Sequence, residues 1–223
     1  MKLTLTGPTG FIGQEVLTQC LTNPAITSIV ALSRRPLPSS ISTHPKLTVR
    51  IIDDFLTYPD SLMSDLRGAE GCIWALGQNR TPDMETARRI NLDYTLSGLR
   101  AFDGLFAGSS SGSSGKKFRF VYVSGGMAER DQGRKLWVAA GTRKIRGQVE
   151  TELTAYEKDR GGSVEVYIAR PAMVLARGAS LRTLVFGLGP SIWVDDLARV
   201  LVDVAMRGGG ERVLENGMMV GWV

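Results

Sequence analysis

The chain has 223 residues, of which 43% are hydrophobic and 22% are charged, which favours one domain over residues 1–223 rather than two. A net charge of +5 is too small for a dedicated nucleic-acid-binding protein, so we expect no nucleic-acid partner. The sequence has neither an apolar run near ~20 residues nor a secretory leader, so we expect no membrane partner and a cytoplasmic location.

Few residues in this chain are suited to binding a metal. Cys20 and Cys72 lie far apart in apolar or small-residue segments, so we expect neither a disulfide nor a metal site. The single histidine, His44, precedes a proline and is typical of a surface loop. Catalysis that depends on histidine or on a metal is therefore not expected.

Short β-branched runs alternate with stretches of helical period along the chain. Strands are predicted at 2–6, 27–32, 47–52, 71–76, 118–124 and 164–170. Helices are predicted at 11–22, 59–67, 83–106, 142–159 and 195–207. This alternation predicts an α/β fold with a single doubly wound parallel sheet.

Two further segments bear on the architecture. Residues 108–115 contain only glycine and serine and are predicted to form a flexible surface loop, natural or engineered. Residues 175–223 are expected to form a small C-terminal region that covers the substrate side of the domain.

A glycine-rich turn follows the first predicted strand. It comprises Gly7, Thr9, Gly10, Phe11, Ile12 and Gly13 in the pattern G-x-x-G-x-x-G. Glycines at this place allow a tight turn, close approach of a pyrophosphate, and close packing of helix on strand. The motif therefore predicts a dinucleotide site; a glycine-rich turn without a ligand is the alternative.

The second predicted strand ends in Ser33, Arg34 and Arg35. An NAD enzyme would carry an acidic residue near this position, to bind the ribose hydroxyls. Arginine can instead pair with a 2′-phosphate, so NADP(H) is favoured as the cofactor. Two solvated arginines without a ligand are the alternative.

These motifs resemble those of the extended and atypical short-chain dehydrogenases/reductases, which have a Rossmann fold. The small NADPH-binding members similar to the Tat-interacting protein and the NmrA-like fungal proteins are nearest in length. The resemblance implies further cofactor contacts from residues after later strands: Asp54, Phe55, Ala75, Leu76, Gly77, Pro171, Ala172, Met173 and Val174.

Reductases of this superfamily use a Tyr-x-x-x-Lys pair, which none of the five tyrosines forms. Tyr156 with Arg160 lies about 20 Å too far along its helix and is expected to be structural. Aligned on residues 147–150, the pair becomes Thr142 and Arg146. Arginine can hold a ribose hydroxyl or an oxyanion, but threonine is too weak an acid to replace tyrosine.

Two other residues are candidates for the chemistry. Lys144 is a possible replacement acid, although at two residues from Thr142 it faces another side of the helix. The resemblance implies a serine after the fifth strand for the substrate oxygen, which predicts Ser124, unless the register puts Gly125 or Gly126 there. A degenerate site at Thr142 and Arg146 is the alternative.

Two apolar, irregular segments flank the expected substrate position. They are residues 127–141, with Met127, Trp137 and Val138, and residues 175–193, with Leu184, Phe186, Leu188, Ile192 and Trp193. They predict a pocket for an apolar or aromatic small molecule, or else ordinary core or a dimer contact. The chain is expected to be a monomer or a homodimer.

Three functions are compatible with this sequence. The first is an NADP(H)-dependent oxidoreductase that acts on a carbonyl or alkene of a small, largely apolar metabolite, in secondary metabolism. The second is a non-redox isomerase, dehydratase or cyclase on an NADP-binding scaffold, and the third is an NADP(H)-binding regulatory protein.

Overall fold

A seven-stranded parallel sheet runs through the computed structural model, which describes residues 1–78, 83–107, 116–178 and 189–222. Its strands are β1 Lys2–Thr6, β2 Ser28–Ser33, β3 Leu47–Ile51, β4 Gly71–Trp74, β5 Phe118–Val123, β6 Val164–Arg170 and β9 Val213–Glu215. They lie in the order β3-β2-β1-β4-β5-β6-β9. The predicted doubly wound parallel fold is confirmed.

Helices cover both faces of this sheet. They are α1 Phe11–Thr22, α2 Ser39–Ser42, α3 Asp60–Leu66, α4 Met84–Arg88, α5 Tyr94–Ala107, α6 Ala140–Asp159, α7 Val194–Arg207 and α8 Asn216–Val220. A π-helical turn over Arg89–Asp93 joins α4 to α5, so the predicted helix 83–106 is continuous but irregular. None of the helices in the described ranges is long and apolar enough to cross a membrane.

The core consists of two buried layers, one on each face of the sheet. Helices α1 and α7 pack on one face, where Leu17 and Leu201 are completely buried or nearly so. Helices α3, α5 and α6 pack on the other face, which holds Trp74 and Phe102. The two cysteines are buried and unbonded within these layers.

Strand register brings the strand ends to one edge. Thr6, the last residue of β1, pairs with Leu32 of β2 and with Trp74 of β4. The order in which strands are added reverses between β1 and β4, since β2 and β3 lie on one side of β1 and the later strands on the other. In such sheets ligands bind at the carboxyl ends of the strands, at this reversal.

Five short elements were not predicted from the sequence: helices α2 and α8 and three strands. Strands β7 Met173–Leu175 and β8 Ser191–Trp193 form a separate two-stranded parallel sheet, and β9 extends the main sheet after β6. The glycine- and serine-rich segment 108–115 lies outside the described residues, as does 179–188, which contains Leu184, Phe186 and Leu188.

Candidate functional site

The glycine-rich turn lies at the carboxyl end of β1 and is closed by its own backbone. Gly7 has φ +70°, a conformation that favours glycine, and its carbonyl oxygen accepts a hydrogen bond from the Gly10 N–H at 3.0 Å. A Cβ on Gly7 would lie 2.6 Å from the Ala75 carbonyl oxygen, so the turn touches the end of β4. A Cβ on Gly13 would lie 2.0 Å from the Gly7 oxygen.

The first turn of α1 presents backbone N–H groups beside this cradle. Gly10 is the N-cap, no side chain caps the helix, and no acidic residue lies in the first turn. Thr9, Gly10 and Phe11 are exposed, and Ile12 is partly buried. Uncapped N–H groups and the helix dipole together favour a phosphate at this place.

The end of β2 offers two exposed cations. Ser33 is buried, and its hydroxyl donates to the Arg35 carbonyl at 2.6 Å and accepts from the Arg35 N–H at 3.2 Å. The two hydrogen bonds close this turn, and the side chains of Arg34 and Arg35 are exposed. Within the part of the chain that the structure describes, neither guanidinium forms an ion pair. The Ser33 hydroxyl, by contrast, is already engaged with its own turn.

Asp54 and Phe55, the two predicted cofactor residues after β3, differ in exposure. The Asp54 carboxylate is partly exposed, pairs with Arg89 at 3.1 Å and accepts from the Leu56 N–H at 3.1 Å. Phe55 is 0% exposed and packs against Trp74 and Tyr94. The Phe55 side chain therefore belongs to the core, and the contact of this residue with a cofactor stays a prediction.

The end of β4 is held by a buried asparagine. The amide oxygen of Asn91 accepts from the Gln78 N–H at 3.1 Å, and its amide nitrogen donates to the carbonyls of Gln78 and Ala87. Ala75 and Leu76 are partly buried and Gly77 is exposed, opposite the glycine-rich turn. Asn91 belongs to the π-helical turn, a distortion that often occurs at functional sites.

The four predicted catalytic residues lie at the end of β5 and in the first turns of α6. The Arg146 guanidinium donates to the Ser124 carbonyl, beside Gly125. Thr142 is partly exposed, and its hydroxyl lies 3.4 Å from the Ala139 carbonyl. The Lys144 ammonium donates to the Gln132 carbonyl at 2.7 Å. Arg146 and Lys144 therefore engage different segments of the chain.

The Ser124 hydroxyl points inward. It donates to the carboxylate of Glu150 at 2.6 Å, and the whole residue is 3% exposed. Glu150 also binds Arg130 at 2.8 Å and Arg170 through two guanidinium nitrogens. Burial would raise the pKa of Glu150, but hydrogen bonds from Arg170, Ser124 and Arg130 outweigh it and hold this pKa below its usual value.

The segment after β6 lies beside the end of β5. The Pro171 carbonyl accepts from the Gly126 N–H at 2.7 Å, which joins this segment to the end of β5. The Ala172 N–H donates to the Asn216 side chain at 2.9 Å, and Met173 and Val174 belong to β7. Pro171 is buried, whereas Ala172, Met173 and Val174 are partly exposed.

Tyr122 and Tyr156 both have a raised pKa, which makes them weaker acids than an ordinary tyrosine. Burial raises the pKa of Tyr122, in β5, to about 12. Burial and a hydrogen bond to Asp103 raise the pKa of Tyr156 to about 12 as well. Tyr156 thus ties α6 to α5.

The single histidine lies elsewhere: His44 accepts a hydrogen bond from the Lys46 N–H in the turn before β3.

The loop between β5 and α6 exposes large apolar side chains. Trp137 is 98% exposed, Val138 68% and Met127 64%. Arg143, in the first turn of α6, donates to the Met127 carbonyl at 2.8 Å and lies 3.5 Å from that of Val138. From the other side, Met84 covers Gly141, where a Cβ would lie 2.4 Å from the Met84 methyl carbon. Exposed apolar side chains therefore adjoin the first turn of α6, in which Thr142 lies.

The same stretch accounts for most of the surplus charge. Residues 127–146 contain six arginines and lysines against two acidic residues, while the whole chain has a net charge of +5. The positive charge of this protein is thus concentrated beside the candidate site.

Sequence reasoning missed three residues that organise this site: Glu150, Asn91 and Asn216. Glu150 lies within residues 147–150, on which the helix was aligned, but nothing local showed that its side chain or that of Asn91 is buried. Asn216 joins two loops, since it accepts from the Ala172 N–H and donates to the Ser191 carbonyl at 3.1 Å. No signal in the sequence pointed to it.

Structures of similar fold define the class of this architecture. A short-chain dehydrogenase from Burkholderia cenocepacia in complex with NADP matches with a TM-score of 0.74 and 16% identity, covering 99% of this chain and 89% of that one. Gre2 from Candida albicans in complex with NADPH matches with a TM-score of 0.71 and 16% identity, covering 96% and 78%. The chain therefore has the fold of the short-chain dehydrogenases/reductases, as its motifs predicted.

Sequence comparison gives a partial relative. Leucinostatins biosynthesis cluster protein T of Purpureocillium lilacinum is 34% identical over 128 residues, which cover 56% of this chain and 42% of that protein. The match thus spans less than half of that relative's length. No family model matches the sequence.

Proposed function

We propose that this protein is an NADP(H)-dependent oxidoreductase that acts on a carbonyl or alkene of a small, largely apolar metabolite, in secondary metabolism. The observation that carries the proposal is the pair Arg34 and Arg35, exposed and without an ion-pair partner among the described residues, next to an uncapped helix N-terminus. Solved structures of the same fold contain NADP or NADPH, which supports this cofactor.

The residues present fit such a cofactor. The N–H groups that follow Gly10 would hold the pyrophosphate, and Gly7 and Gly13 leave the space that side chains would fill. Arg34 and Arg35 would pair with the 2′-phosphate. The edge formed by Ala75, Leu76 and Gly77 would line the ribose. When bound, NADPH supplies a hydride through its nicotinamide.

Arg146 is a cation at the end of β5, where its guanidinium donates to the Ser124 carbonyl. A guanidinium in this position is suited to bind a ribose hydroxyl or a developing oxyanion. Lys144 holds the loop through Gln132, so we assign the proton to water rather than to Lys144. The exposed Met84, Met127, Trp137 and Val138 favour an apolar substrate.

The name of one relative supports a role in secondary metabolism, since that relative is called leucinostatins biosynthesis cluster protein T. A cytoplasmic location and the choice between monomer and homodimer stay predictions, as does the single domain. Light scattering on the purified chain separates the two oligomeric states.

The test has two stages. NADPH and NADH are titrated separately, and NADPH is expected to bind more tightly. NADPH oxidation is then followed with a panel of apolar aldehydes, ketones and enones. Equal affinity for the two cofactors contradicts the assignment of Arg34 and Arg35. Tight binding with no oxidation across the panel supports a regulatory protein instead.

A non-redox reaction on the same scaffold is the second candidate, and the Ser124–Glu150 contact favours it. The Ser124 hydroxyl donates its hydrogen bond to Glu150, and the alignment of the sequence puts Thr142 and Arg146 at the positions where the family has tyrosine and lysine. A site built in this way would lack the family's usual proton relay. Turnover that proceeds with bound NADP⁺ and without hydride transfer identifies an isomerase, dehydratase or cyclase.

A further inference from the structure

Glu150 is an interior carboxylate that joins three separate segments of the chain. Its side chain is 0% exposed, and it lies on the face of α6 that packs against the sheet. Ser124 reaches it from the end of β5, Arg130 from the following loop, and Arg170 from the end of β6. Each of these segments borders the site.

Both oxygens of this carboxylate are occupied. Oε1 accepts from the Ser124 hydroxyl at 2.6 Å and from the Arg170 Nε at 3.0 Å. Oε2 accepts from the Arg130 Nε at 2.8 Å and from the Arg170 Nη2. A serine hydroxyl has one proton, and Ser124 donates it to Glu150. While Glu150 is ionised, the Ser124 oxygen can therefore only accept further hydrogen bonds.

Arg130 connects the apolar loop to this carboxylate. Other contacts of the loop run to α6, where the Glu129 N–H donates to the Arg143 carbonyl at 2.9 Å and Gln132 exchanges hydrogen bonds with Lys144. At its start the loop also contacts the segment after β6, where the Pro171 carbonyl accepts from the Gly126 N–H. Arg130 instead reaches inward, with 38% of its side chain exposed. The loop that carries Met127 and Trp137 is therefore attached to the same group that orients Ser124.

We propose that Glu150 is a positioning residue: its carboxylate fixes the Ser124 hydroxyl and, through Arg130, the loop over residues 125–138 in one arrangement. The effect of Glu150 on turnover rests on the proposed function, whereas its attachment of the loop is independent of that function. Because a charged hydrogen bond to a buried partner holds the loop at this point, removing either partner releases the loop.

Limited trypsin digestion tests the attachment, since Arg134 and Lys135 lie within this loop. The variants are Arg130→Met, Arg130→Lys and Glu150→Gln, with Glu152→Gln as the matched control because Glu152 is exposed on the same helix. Cleavage after Arg134 and Lys135 is measured by mass spectrometry, and NADPH affinity by titration.

In Arg130→Met and Glu150→Gln we expect cleavage to be about tenfold faster or more, whereas Glu152→Gln behaves as the wild type. NADPH affinity in Arg130→Met is expected to stay within about twofold, because Arg130 donates to Glu150, which is not one of the proposed cofactor residues. Arg130→Lys is expected to restore part of the protection. With a substrate that the wild type turns over, Arg130→Met lowers kcat and leaves the KM for NADPH unchanged.

Unchanged cleavage in a folded Arg130→Met variant overturns the proposal. If Glu150→Gln fails to fold, Arg130→Met and its lysine counterpart still decide the outcome. If the wild type binds no NADPH, the proposed function fails, while the cleavage rates still report whether Glu150 holds the loop.

Discussion

The carbonyl oxygen of Gly7 lies 2.0 Å from the point where a Cβ on Gly13 would stand. Real Cβ atoms do not approach an oxygen so closely, so only glycine at position 13 lets α1 start directly against the turn. The spacing G-x-x-G-x-x-G is thus a packing requirement of this chain, whatever the turn binds.

Gly13→Ala is expected to destabilise the protein by about 1–3 kcal/mol and to abolish NADPH binding, because the turn must shift away from α1. Gly104→Ala is the control: Gly104 lies in α5 with nothing within 4 Å of its Cβ position. That change should stabilise the helix by up to about 1 kcal/mol. Urea unfolding and NADPH titration measure both effects, and a Gly13→Ala protein with normal binding contradicts the expectation.

Arg34→Ala and Arg35→Ala are each expected to weaken NADPH binding by about 10- to 100-fold, since each removes a charged hydrogen bond to a phosphate. NADH lacks that phosphate, so its affinity should change by less than about twofold. Arg100→Ala, an exposed arginine within α5, serves as the control. Equal losses for both cofactors would show that these arginines act through general charge.

The double change Thr142→Tyr, Arg146→Lys is expected to raise NADPH-dependent reduction of apolar aldehydes. Thr142 is partly exposed at the start of α6, so a tyrosine there can reach the site, and a lysine one turn later lowers its pKa. Initial rates of NADPH oxidation are compared with the wild type and with each single change. If all four proteins have equal rates, the missing relay is not what limits the reaction.

Glu150 is expected to make the stability of the fold sensitive to acid. Its folded-state pKa is lowered, so its contribution is present above the unfolded pKa of about 4.3 and is lost as pH falls through the lower folded value. Glu150→Gln should lower the free energy of unfolding by about 3 kcal/mol at pH 7, because two arginines lose their buried charged partner.

Urea unfolding of the wild type and Glu150→Gln between neutral and acidic pH measures this difference. The gap between the two proteins should narrow with acid, since the wild-type carboxylate becomes neutral as well. Other carboxylates titrate equally in both proteins and cancel in the comparison. A gap that stays constant with pH would assign the loss to packing rather than charge.

The sheet could be predicted from the sequence because its strands are short apolar runs bounded by turns. Strand β6 and helix α1 were predicted with the residue limits that the structure shows. The three-residue strands β7, β8 and β9 could not be found this way, because they are too short for a period and form only where a neighbouring strand is already in place.

The candidate site was predictable where backbone geometry dictates residue type. Gly7 and Gly13 belong to this class, since their space and conformation exclude side chains. Side-chain direction was not predictable: Ser124 faces a carboxylate 26 residues away, and Glu150 binds arginines 20 residues away on either side. Such partners meet only when β5, β6 and α6 are assembled.

Trp137 gives this protein an internal optical probe. It is 98% exposed, whereas Trp74 is completely buried and Trp193 and Trp222 are partly buried. A small collisional quencher such as iodide will therefore act mainly on Trp137, with Trp137→Phe providing the background. Its fluorescence reports in real time whether a ligand covers the loop between β5 and α6, even before any substrate has been found.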